Sequence, residues 1–142
     1  MAGRGRARRK PAKVSEMLGP LEAEVMEIIW AKGPLLVSQI EEVLNERRSD
    51  PLAYKTVLTI CTRLDEKGLL AHEKEGRAFR YGPVKSEAEF VEQQSSKAAE
   101  AMLNRFGDVA LSTFVDQVAA DPAQLAALRD LLNKRIKSSH SR

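Results

Sequence analysis

The strongest constraint on the fold lies between residues 52 and 82, where the spacing of apolar residues switches at Gly68 from a helical period to a period of two. Over residues 52–67, Val57, Leu58, Ile60, Cys61 and Leu64 fall in one arc of a helical wheel. Lys55, Thr56, Thr59, Thr62, Arg63 and Glu66 fall in the opposite arc. The apolar arc predicts a buried face. The other arc is unusual for a merely solvated helix, because threonine is a poor helix former and three of them share one side. Short hydroxyl side chains flanked by lysine and arginine suit base edges and phosphates in a DNA major groove. Gly68 stands just past the last turn, where a helix commonly ends. Residues 69–73 and 78–82 then read as strands joined by Lys74-Glu75-Gly76-Arg77, with Gly76 able to take the positive φ of a tight hairpin. Lys74, Arg77 and Arg80 give the hairpin a basic tip and outer face.

Two helices precede this segment. Residues 20–32 open with Pro20 and close at Gly33-Pro34, with Leu21, Val25, Ile28 and Ile29 as the main apolar stripe. Met26 and Trp30 lie on another side, which predicts a helix pinned between neighbours and a structural role for Trp30. Residues 37–47 turn Val37, Ile40 and Leu44 inward and Glu41, Glu42 and Glu46 to water, and Ser49-Asp50-Pro51 breaks the pattern. Three helices followed by a basic hairpin make a winged helix-turn-helix, with the third helix in the major groove and the wing on the flanking backbone.

From residue 85 only helical patterns occur, over residues 86–105, 109–118 and 122–137, the last opened by Asp121-Pro122. Leu125, Leu128, Leu132 and Ile136 form one stripe, widened by Leu131. Helices this few and short cannot bury all their apolar surface alone, so an intertwined homodimer is expected, in preference to a ligand pocket between them. The expected fold class is mainly α: a disordered basic tail over residues 1–15, a winged helix over 16–84, and a three-helix dimerisation domain over 85–142.

The formal net charge of +3 conceals an asymmetry, since Arg4, Arg6, Arg8, Arg9, Lys10 and Lys13 crowd the first 13 residues, which hold no acid. Such an arm is drawn to phosphates without reading sequence. A single cysteine, Cys61, forms no intramolecular disulfide and fits a reducing, cytoplasmic setting; with His72 and His140 far apart, neither metal nor cofactor is expected. No apolar run suggests membrane insertion or a secretory signal. No nucleophile-and-base grouping or phosphate loop points to an enzyme. The rival binding reading is a nonspecific nucleoid or architectural protein, favoured by the tail and disfavoured by the threonine-bearing helix.

Leu18-Gly19-Pro20-Leu21-Glu22, Val25-Met26 and Trp30, followed by Ala53-Tyr54-Lys55-Thr56-Val57, Arg63-Leu64, Lys67-Gly68-Leu69 and Gly76-Arg77, resemble the penicillinase-repressor family of BlaI, MecI and CopY type over residues 16–137. The resemblance implies bacterial homodimers that repress transcription from inverted-repeat operators on double-stranded DNA. It puts Tyr54, Lys55, Thr56, Thr59 and Arg63 at the DNA, with Lys74, Arg77 and Arg80 in the wing. It also implies a protease or sensor partner for derepression. Two departures stand out. There is no cysteine after Cys61 to build the copper-responsive branch's metal hook, and Thr113 precedes Phe114 where the β-lactam branch is cut at an Asn-Phe bond.

Overall fold

The computed structural model of the chain describes residues 14–140; the expected basic tail lies outside the described residues as far as residue 13. The elements run α1 (Val14–Met17), α2 (Pro20–Lys32), β1 (Leu35–Leu36), α3 (Val37–Asn45), α4 (Tyr54–Glu66), β2 (Leu70–Glu75), β3 (Ala78–Pro83), α5 (Glu87–Phe106), α6 (Asp108–Ala119) and α7 (Pro122–His140). This is a winged helix followed by a helical region, as expected. The short α1 was not, because so few residues carry no readable period. Val14 is already buried, against Ala23 and Phe90, inside the stretch expected as tail.

Two compact units divide at Ser95 and Ser96. The expected division at residue 85 falls earlier, because the first turns of α5 carry Phe90 and Val91 into the cluster with Val14, Ala23 and Trp30. Within the first unit, Val25, Met26 and Ile29 of α2, Val37, Ile40 and Leu44 of α3, and Val57, Ile60, Cys61 and Leu64 of α4 form one core with Leu70 and Tyr81. Each fully buried aliphatic side chain contributes about 1.5–3 kcal/mol. The expected pinning of α2 on two sides is met, and Trp30 closes one of them. Its indole N–H donates to the Lys85 carbonyl at 2.8 Å, and its ring lies 5.8 Å from that of Phe90.

The sheet has three strands in the order β1-β3-β2, all antiparallel. β1 went unforeseen: its two residues are too few to show alternation, and it exists by pairing Leu35 with Tyr81 and Leu36 with Arg80. The hairpin turn is tighter than expected, two residues with Gly76 at φ 64° between the paired Glu75 and Ala78. Positive φ at the first turn residue alone is the type II′ pattern, which suits the twist of a hairpin. Gly82 lies against Pro34, where an added Cβ would come within 3.1 Å of the proline ring.

The second unit contains the later part of α5 and the packed pair α6 and α7. Asp121 caps α7 by accepting from the Ala123 N–H at 2.9 Å, with Pro122 in the first helical position. Among its described residues only Ala110 and Val118 are buried, and α7 buries none.

Candidate nucleic-acid interface

The start of α4 is set by a side chain that sequence reading passed over. Asn45, at the end of α3, accepts from the Leu52 N–H at 2.8 Å and donates to the Leu52 carbonyl at 3.0 Å. This clamp replaces the last turn that was expected to carry α3 to residue 47, and it aims α4. From there the helical arc works as its spacing implies. Val57, Ile60, Cys61 and Leu64 are buried, while Tyr54, Lys55, Thr56, Thr59, Thr62, Arg63 and Glu66 are exposed. Neither Lys55 nor Arg63 is paired with a carboxylate among the described residues.

The threonines are more constrained than the wheel suggests. The Thr59 hydroxyl donates to the Lys55 carbonyl and the Thr62 hydroxyl to the Leu58 carbonyl, both at 2.9 Å. Each proton is thus held by the helix itself, which is how a hydroxyl residue is accommodated there. What remains outward is an oxygen that accepts and a methyl group. In a major groove those match the amino groups of adenine and cytosine and the methyl of thymine.

The wing separates its three expected bases. Register puts Leu70, His72 and Lys74 opposite Pro83, Tyr81 and Phe79 on one face, and Ala71, Glu73 and Glu75 opposite Gly82, Arg80 and Ala78 on the other. Lys74 and Arg80 therefore do not share a face, and Arg77 sits in the exposed turn. Arg80 is also engaged within the fold: its guanidinium pairs with Glu75 at 2.9 Å and donates to the Pro34 carbonyl at 3.3 Å. Lys74 and Arg77, both exposed, are the bases the wing presents outward.

His72 joins wing to helix. Its Nδ1 is in direct hydrogen-bonding contact with the Asp65 carboxylate on α4, and its ring lies 5.4 Å from Phe79, edge-on, and 5.7 Å from Tyr81. Burial pushes the Tyr81 hydroxyl pKa up. Beneath the same helix, burial raises the Cys61 thiol to about 12, which fits an inert core residue and not a redox sensor.

The proposed pairing stripe is uncovered. Leu125 is 41% exposed, Leu132 52% and Ile136 52%, with Leu128 half-buried. No group of three or more metal-binding side chains occurs among the described residues, nor does any described helix have the length and apolarity to cross a membrane.

Comparison with known proteins gives a consistent result. The chain matches the penicillinase repressor family over residues 18–134. It is 40% identical over 117 residues to the transcriptional regulator BlaI of Mycobacterium tuberculosis, covering 81% of this chain and 82% of that one. It is 34% identical over 94 residues to the penicillinase repressor of Bacillus licheniformis, covering 66% and 69%. The solution structure of the DNA-binding domain of the repressor BlaI aligns at 30% identity with a TM-score of 0.45, over 58% of this chain and 93% of that one.

Proposed function

The chain belongs to the penicillinase repressor family, and from that premise we propose that it is a sequence-specific transcriptional repressor that occupies an inverted-repeat operator as a homodimer in the cytoplasm. The observation that carries this reading is the exposed face of α4, where Lys55, Thr56, Thr59 and Arg63 stand outward over a sealed core. Tyr54 extends that face at the helix start, and Lys74 and Arg77 add phosphate contacts from the wing. Arg80 acts from behind, fixing the hairpin through Glu75 and the Pro34 carbonyl.

Pairing rests on the second unit. Two copies of the stripe Leu125, Leu128, Leu132 and Ile136 can cover each other, and a two-fold dimer then presents two reading helices about 10 base pairs, or a multiple, apart. The basic residues 1–13 add affinity for any duplex. A protease that lifts repression by cutting between Thr113 and Phe114 must first open α6, because that bond lies inside the helix.

Footprinting on genomic fragments tests the reading. The expected result is discrete protection of near-palindromic sites. Even protection of every fragment would make the chain an architectural protein, and an asymmetric site per monomer would remove the dimer.

A further inference from the structure

The Asp65–His72 contact is not needed to close the core, since both side chains are partly exposed, at 28% and 49%. It is nevertheless the direct polar link from the reading helix to strand β2. We propose that Asp65 and His72 are positioning residues that hold the wing at the angle at which α4 and the hairpin engage one duplex together, and that protonation of His72 tightens this hold. The inference rests on the repressor reading above.

The surroundings of His72 support the assignment. Asp65 faces it from α4, the Tyr81 and Phe79 rings from β3, and Lys74 shares its face of β2. Glu73 and Arg80 point to the opposite face. Asp65 is the carboxylate on this side, so a proton gained by the imidazole meets a partner already in contact. A charge-assisted bond is stronger than the neutral one. The link is stronger when the imidazole is charged and weaker when it is neutral. Tyr81 is itself buried in the core of the first unit, so the ring beside the imidazole is a fixed support for it.

The test uses the full chain, a duplex carrying a site protected in footprinting, and a scrambled duplex of equal length. Between pH 8 and pH 6 the parent should gain about fivefold in its preference for the protected site, the scale of a partly exposed ion pair. His72→Gln and Asp65→Asn should each flatten that profile, with binding to the scrambled duplex at pH 8 unchanged. The exchange Asp65→His with His72→Asp should restore the profile.

If Asp65→Asn keeps the parent's profile, His72 acts on phosphate directly and the positioning role is overturned. It is overturned equally if both variants lose affinity for both duplexes in step with a lower Tm. Should the parent itself fail to prefer the protected site, the repressor reading falls and takes this inference with it. If the parent prefers the site and the variants match it at every pH, this inference alone falls.

Discussion

The two units carry similar kinds of apolar side chain and use them differently. In the first, Val25, Met26, Ile29, Ile40, Val57 and Leu64 are wholly removed from solvent. In the second, Met102, Leu103, Phe106, Leu111, Phe114, Leu131, Leu132 and Ile136 each leave half or more of their surface exposed. A three-stranded sheet and the three helices α2, α3 and α4 close around a common centre, whereas a hairpin of two helices has only one inner side. The contrast separates two tasks. The winged helix buries its apolar faces within its own chain, and the helical region leaves most of its own exposed.

The sharpest way to break this comparison is the double change Leu128→Asp with Leu132→Asp. It should yield monomers with an intact winged helix and lower operator affinity about 10²–10⁴-fold, the advantage lost when two modules cease to be linked. Sedimentation equilibrium beside an operator titration checks it. A variant that stays dimeric, or binds the operator as tightly as the parent, moves the helical region toward ligand sensing.

Next in size is Leu64→Ala, expected to destabilise the first unit by about 2–5 kcal/mol in denaturant unfolding. In the monomeric double-aspartate background, Leu131→Ala should cost far less, about 0.5–1 kcal/mol, because half of that side chain is already exposed. Equal costs at the two positions would erase the distinction between the units.

Arg63→Ala leaves both units folded and should weaken operator binding by about 1–3 kcal/mol while relaxing preference at one base position. Unchanged affinity and unchanged preference together would mean that α4 reads with another face.

The smallest effect is alkaline. The Cys61 thiol titrates near 12 in the folded chain against a reference of 9.0. A raised folded value stabilises fully below the reference and is lost as pH climbs from it toward 12. By pH 9.5 the first unit should have lost about 1 kcal/mol. Cys61→Val should flatten that part of the stability profile, and a profile identical to the parent's would show that the thiol is not sealed.

Local chemistry made much of this architecture readable. The arc of α4, the helix stops at Gly33 and Gly68 and the turn at Gly76 all depend on neighbours within a few positions. What escaped depends on partners far along the chain. β1 exists because Leu35 and Leu36 meet Tyr81 and Arg80. The facing of Lys74 and Arg80 follows from register, and register was blurred by placing Lys74 and Glu75 in the turn. Asn45 looks like any polar residue at the end of a helix until Leu52 folds back on it. Asp65 and His72 are only seven positions apart, yet a helix end and a strand start intervene, and no periodicity spans that corner. In the second unit the apolar stripe was legible as a pattern, while its lack of cover needed three dimensions to see.

The open flank of α7 also bears on gene dosage. When the form that occupies an operator is a pair, its abundance at low expression rises with the square of chain copy number. Halving synthesis near that threshold then cuts the paired form about fourfold. A cell carrying this repressor would pass from silent to expressed over a narrow range of repressor supply, a sharpness provided by leucines that find no cover within their own chain.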